Sequence, residues 1–168
     1  GMILGTIGVG FLWILVNPLV TLLGLIGFIW YVFIYGLAKR KTPWSTLIGT
    51  VCGAIPPVAG YAAITNNIDV AAILLFAILM IWQMPHFYAI AIRRRSEYKK
   101  GGIPILSVIK GDERTKKSII VYIGVFCAVA PLLTLFGYTG LIYAVGSVAL
   151  GAWWLVVGIR TWRESDNK

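Results

Sequence analysis

An all-α bundle of membrane-spanning helices is the fold class this sequence predicts, and three observations predict it. The chain of 168 residues is 59% hydrophobic and 12% charged, with a mean hydropathy of +0.86. A water-soluble domain of this size needs more polar surface. Its long apolar runs thread as six consecutive crossings, taken as one membrane-embedded domain over residues 1–168. All fifteen Lys and Arg residues then fall on one side. Lys39, Arg40 and Lys41 follow the second crossing. Arg93, Arg94, Arg95, Lys99, Lys100, Lys110, Arg114, Lys116 and Lys117 lie between the fourth and fifth, and Arg160, Arg163 and Lys168 follow the sixth. Such loop charge sets orientation, so the sequence places these loops in the cytoplasm and the chain in the inner (cytoplasmic) membrane as a multi-pass protein. The net charge of +9 reads as topology and contact with the lipid bilayer, with no nucleic-acid partner, because no basic face exists outside the loops.

The first crossing runs from about Ile3 to Val16, short against the roughly 20 residues a bilayer needs. Gly1 precedes Met2 and apolar sequence begins at once; the expectation is a fragment, incomplete at both ends. Asn17-Pro18 makes a tight turn. The second crossing is about Leu19 to Leu37, and the third about Ser45 to Ile64. In the third, Gly49 and Gly53 form a G-x-x-x-G pair that lets another helix approach. Pro56-Pro57 removes two donors and is expected to bend the segment, as a cavity wall or a packing kink. Asn66, Asn67 and Asp69 form the next loop. The fourth crossing is about Val70 to Ile92, the fifth about Ser118 to Phe136, and the sixth about Leu141 to Ile159. Residues 93–117 between the fourth and fifth form the longest polar stretch. Trp153, Trp154 and Trp162 suit an interfacial aromatic belt. Cys52 and Cys127 have no metal-ligand spacing and read as small packing residues.

The end of the fourth crossing carries the densest polar pattern. Gln83 and His86, the single histidine, are three apart and share a helix face. Continued at helical spacing, that face meets Ile90, then Arg93 or Arg94, then Glu97. Eleven positions separate His86 from Glu97, about 16 Å of helix, so the two could touch opposite ends of a long ligand. Intramembrane Gln or His can equally bond a neighbouring helix, and Pro85 can break the stripe. The following loop mixes nine cations with Glu97, Asp112 and Glu113. That mixture suits an anionic substrate with Mg²⁺, or plain juxtamembrane charge.

The run Trp82-Gln83-Met84-Pro85-His86-Phe87, then Glu97-Tyr98, then Gly102-Ile103-Pro104-Ile105-Leu106, resembles the UbiA-type intramembrane prenyltransferases in the branch that farnesylates protoheme IX. Lys39-Arg40, Ile48-Gly49 and Gly53-Ala54-Ile55-Pro56-Pro57-Val58-Ala59-Gly60-Tyr61 agree with it. The resemblance implies a bundle of about nine spans around a central cavity, of which this chain holds about six. It implies transfer of a farnesyl group from farnesyl diphosphate to a vinyl group of protoheme IX, with release of diphosphate. Heme is then a substrate rather than a cofactor, and heme-handling membrane proteins are possible partners. Two acidic motifs are implied to hold a Mg²⁺-diphosphate; the first, rich in Asn and Asp, is absent here. In the second, Glu97 stands where Asp is usual, and Ser107 where Pro is usual, a change expected to loosen the turn.

On this resemblance Glu97 is the metal ligand and, with Lys99, the catalytic pair. Lys39, Arg40, Arg93, Arg94 and Lys100 are the diphosphate-binding cations, since Arg makes bidentate phosphate contacts and Lys a point charge. Gln83, His86, Trp82, Phe87 and Tyr61 line the heme and prenyl pocket, with His86 toward the heme as an iron ligand or by packing. Two other readings stand beside this one. The first is a UbiA-type enzyme acting on an aromatic acid or quinone precursor. The second is a transporter or scaffold subunit, though a transporter is expected to show paired broken helices and mid-membrane charge.

Overall fold

The computed structural model describes residues 2–166, with side chains over 3–163; Lys168 lies outside the described residues. Every regular element among these residues is helical. Helix α1 (Met2–Leu15) is followed by a turn at Asn17, whose extended backbone and Oδ1, accepting from the Val20 N–H at 2.8 Å, cap α2 (Pro18–Ile29) with proline in its first turn. The same side chain donates from Nδ2 to Ala62 O at 3.0 Å, tying this turn to a later helix. A π-helical stretch, Trp30–Tyr35, carries α2 into α3 (Gly36–Lys41) without a break in the rod. Then come α4 (Ser45–Thr65), α5 (Val70–Arg93), the short α6 (Arg95–Lys100), α7 (Leu106–Val129), α8 (Leu132–Leu135) and α9 (Leu141–Asp166).

Five rods are long and apolar enough to cross a membrane: Pro18–Lys41, Ser45–Thr65, Val70–Arg93, Leu106–Leu135 and Leu141–Arg163. Of the six expected crossings the first differs. Helix α1 is apolar but has only 14 residues, about 21 Å at 1.5 Å per residue against a hydrocarbon core of about 30 Å.

Helix α5 lies at the centre, packed between α4 and α7; α2 flanks α4, α9 flanks α7 and α1 flanks α2. Lipid tails are as apolar as leucine, so close contact rather than hydrophobic transfer holds such helices together. The buried residues fit that rule: Ala54 and Ala62 on α4, and Ala71, Ala72 and Ala91 on α5. Large apolar side chains such as Ile64, Ile73 and Ile142 face outward.

Four local readings change in the structure. Pro56 and Pro57 leave α4 a single helix and line none of the three best-formed cavities, and Pro85 leaves α5 intact. Residues 93–117 are mostly helical: α6 and the first part of α7, which turns sharply at Gly111 (φ 80°), a left-handed conformation that favours glycine. The fifth crossing ends its long helix at Val129, before Pro131, and closes with the single-turn α8. Ser107 tightens rather than loosens its turn. It is fully buried, and its Oγ donates to Ala91 O at 3.1 Å, locking the start of α7 to the end of α5. Ser107→Ala is expected to cost about 1–3 kcal/mol of stability, because a buried carbonyl loses its donor; a thermal unfolding midpoint unchanged within error would refute this.

The cationic segments meet at one end of the bundle. Lys39, Tyr98 and Ile105 line one cavity, and Trp162 Nε1 donates to Glu113 Oε2 at 3.0 Å. Among the described residues the opposite end is neutral apart from Asp69, which caps α5 through Oδ1 at 3.2 Å from the Ala72 N–H.

Candidate functional site: a chamber under the cationic rim

The π-helical stretch, α3, α4, α5, α6 and Ile105 enclose a chamber of about 370 Å³. π-Helical turns widen a helix locally and recur at functional sites; here Tyr31 and Tyr35 reach the chamber from that stretch. Trp30 Nε1 donates to Ile48 O at 2.9 Å and pins the widened turn to α4.

The two glycines of α4 do not serve a bare helix crossing, as expected from their spacing. Each seats one chamber side chain. A Cβ on Gly49 would lie 2.8 Å from the Tyr35 ring, and one on Gly53 would fall on the Gln83 amide. Gln83 Nε2 in turn donates to Thr50 O at 3.3 Å and to Leu79 O at 3.1 Å.

At the mouth stands Lys39, the one charged residue lining the chamber, with its Nζ 6.0 Å from the Tyr35 ring centroid. Beside it the amino end of α4 contributes Ser45 and Thr46. Ser45 is 2% exposed, and its hydroxyl has no hydrogen-bond partner. A helix amino terminus carries partial positive charge; here the Ser45 N–H is already bonded to Thr42 O at 3.2 Å. Tyr31, Tyr35 and Tyr98 line the same space, with Phe87, Ile90, Ala91 and Ile105 as apolar wall. The arrangement can hold an anion at its mouth and an apolar group in its depth.

The residues singled out from sequence are divided by this geometry. Lys39, Gln83 and Phe87 come together in the chamber. The stripe on α5 runs Gln83, Phe87, Ile90, Ala91, so the partner of Gln83 is four residues on rather than three. His86 is exposed and outside the chamber, stacked on Trp82 with centroids 5.5 Å apart and planes at 9°, with Phe87 edge-on at 5.5 Å. Trp82 faces a second groove of about 650 Å³ between α7 and α9, which Phe126, Tyr143 and Trp154 also line. Arg40, Arg93, Arg94, Glu97, Lys99 and Lys100 are exposed around the rim and line no chamber wall. Cys52 lines the chamber, whereas Cys127 packs on α9, its Sγ 2.9 Å from a Cβ built at Gly151.

Tyr61 lies at the far end, its hydroxyl donating to Asp69 Oδ2 at 2.6 Å. That bond chiefly holds the Asp69 carboxyl below its usual range, desolvation opposing it and the Ala72 and Ala71 N–H groups assisting. A lowered folded-state pKa gives stability that is present above the unfolded value and lost as pH falls through the folded one. Tyr61→Phe is expected to raise the Asp69 pKa, read by carboxyl NMR titration; an unmoved titration would remove Tyr61 as the cause.

Sequence reasoning missed Tyr31, Tyr35, Ser45, Thr46, Tyr98 and Ile105. One signal was present: Tyr35 and Lys39 are four apart, next to the cationic segment 39–41.

A magnesium ion, implied by the resemblance, does not find a site in these residues alone. No group of three His, Cys, Asp or Glu converges among the described residues, no carboxylate lines the chamber, and Glu97 is a single exposed carboxylate.

Residues 1–168 match the UbiA prenyltransferase family. The chain is 40% identical over 168 residues to a protoheme IX farnesyltransferase of Protochlamydia amoebophila, covering all of this chain and 59% of that protein. It is 43% identical over 170 residues to protoheme IX farnesyltransferase 2 of Chromobacterium violaceum, covering all of this chain and 56% of that one. With a protoheme IX farnesyltransferase of Salmonella arizonae it shares 45% identity over 167 residues, 99% of this chain and 56% of the relative. The chain thus spans little more than half the length of these curated relatives. No solved structure matches it.

Proposed function

The chain belongs to the UbiA prenyltransferase family, and we propose that it forms the part of a protoheme IX farnesyltransferase that holds a prenyl diphosphate at the membrane boundary. The observation that carries this reading is the chamber's composition: Lys39, the amino end of α4 and three tyrosines line it together with an apolar wall. A diphosphate needs the first and an isoprenoid chain needs the second. Lys39 neutralises charge on the leaving diphosphate, the Ser45 hydroxyl donates to it with the positive end of the α4 dipole behind, and these act more strongly as the bond breaks.

Arg40, Arg93, Arg94, Lys99 and Lys100 form an outer collar that concentrates the anionic substrate at the mouth. Their shared side supports a cytoplasmic orientation of that collar in the inner membrane. Cysteines placed at exposed Lys41 and Lys100 should react with an impermeant thiol reagent only from the cytoplasm, and one at exposed Asn67 only from the other face. Labelling of all three from one face would remove the topology.

The edge Trp82–His86–Phe87 offers stacked aromatic rings and a free imidazole where the chamber wall turns outward, which suits the planar protoheme IX. His86→Ala in the complete protein should shift the heme absorption band; an unchanged spectrum at equal heme occupancy would return His86 to packing alone. The reading as a whole is tested by supplying farnesyl diphosphate and protoheme IX to the purified complete protein. Heme-dependent diphosphate release with a prenylated heme is expected. Prenylation of an aromatic acid or quinone precursor, with heme left untouched, would overturn it.

A further inference from the structure

Gln83 stands 7% exposed in the chamber wall. Its Nε2 uses both hydrogens, on Thr50 O and Leu79 O. A flipped amide would press Oε1 against those two carbonyl oxygens, so the orientation is fixed by electrostatics. Gly53 completes the clamp, since a Cβ there would fall on Oε1 and lie 2.9 Å from Cδ. Among the described residues the one fully enclosed side-chain polar atom without a hydrogen bond is Asp112 Oδ1. Oε1 of Gln83 also receives no hydrogen bond; it is not fully enclosed, and it rests on Gly53, which lines the chamber with Gln83.

The covalent structure nearby adds to this. Cys52 and Gly53 line the chamber too. Their carbonyls lack the N–H that a helix supplies four residues on, because those positions are Pro56 and Pro57. Two backbone oxygens that lack this helical partner thus belong to residues that line the chamber, which Lys39 also lines. Eight residues separate Ser45 at the mouth from Gly53, about 12 Å of helix, room for a diphosphate and the first isoprene unit.

A field that is positive at the mouth and negative in the depth complements one event: heterolysis of an allylic C–O bond with the anion leaving toward the mouth. We propose that Gln83 Oε1 is the seat of the allylic cation, a catalytic role that rests on the prenyl diphosphate reading above. The C1–O bond breaks, its electron pair leaves on the diphosphate toward Lys39, and the positive charge stays on the allyl group beside Oε1. An amide oxygen suits this task. It has a strong dipole but is a weak nucleophile, so it stabilises the cation without capturing it. The π-electrons of the vinyl group on the second substrate then form the new C–C bond. The charge passes to that substrate and is discharged by uptake of water or loss of a proton.

The test uses the complete protein and two unreactive farnesyl diphosphate analogues. One carries a protonated amine at the C3 position, where allylic charge resides; the other has carbon there. The unmodified protein should bind the ammonium analogue at least about tenfold more tightly than the carbon one. Gln83→Leu and Gln83→Met should bring that ratio near one while leaving the carbon analogue's affinity in place, and Gln83→Glu should raise the ratio. A ratio that persists in the Leu and Met variants overturns the cation seat alone. Failure of the carbon analogue to bind the unmodified protein overturns the prenyl diphosphate reading and this inference with it. Should Gln83→Leu not fold, the near-isosteric Met and Glu variants decide the matter.

Discussion

Replacing Lys39 with Met in the complete protein is expected to lower kcat/KM for the prenyl diphosphate by about 10²–10³-fold, the range lost when one preorganised charge-stabilising group is removed from an enclosed site. Among the described residues Lys39 is the only charged one in the chamber wall, so no described neighbour inside can take its place. Lys39→Arg keeps the charge but not the compact ammonium, and should recover part of the loss. The control is Lys110→Met, an exposed cation near the start of α7 that does not line the chamber; a change of less than about threefold is expected there, as for an isolated surface charge. The measurement is steady-state turnover at fixed ionic strength. A Lys39→Met enzyme within a few-fold of the parent would show that the diphosphate sits elsewhere on the rim, among Arg93, Arg94, Lys99 and Lys100.

How far the sequence could be read depended on what kind of fact was sought. The helical class, the span positions and the shared side of the cations are one-dimensional facts, set by apolar run length and loop charge. They needed no knowledge of which helix meets which. The active face of α5 did need it. From Gln83, His86 and Phe87 lie three and four residues on, on either side of the same helical direction. The sequence cannot choose between them; the position of α4 does, since Gln83 Nε2 bonds Thr50 O and turns Phe87 inward and His86 out. The glycines of α4 were misread for a related reason. Gly49 and Gly53 are spaced as in a helix-crossing pair, yet what fills their space is a ring and an amide. Tyr31 and Tyr35 were passed over because an apolar run with tyrosines reads as an interfacial span, and a π-helical stretch leaves no mark in composition. Ser107 looked like a weakened turn because only Pro was weighed; its hydroxyl does the tying instead.

The socket at Gly53 gives the second large effect. Gly53→Ala is expected to destabilise the protein by about 1–3 kcal/mol, the cost of forcing an added methyl into a filled space, and to abolish most turnover by displacing the Gln83 amide. The two losses have one cause, and a second substitution separates them. In Gly53→Ala combined with Gln83→Ala, the methyl meets no amide, so the coupling between the sites should return about 0.5–3 kcal/mol of stability. Turnover should not return, because the oxygen that faces the chamber is gone. Unfolding midpoints and kcat for the two single variants and the double variant measure both. Additive stability losses would mean that Gly53 packs against something other than Gln83. Recovery of turnover in the double variant would mean that the amide was a spacer, and that the depth of the chamber works through its shape instead of its charge.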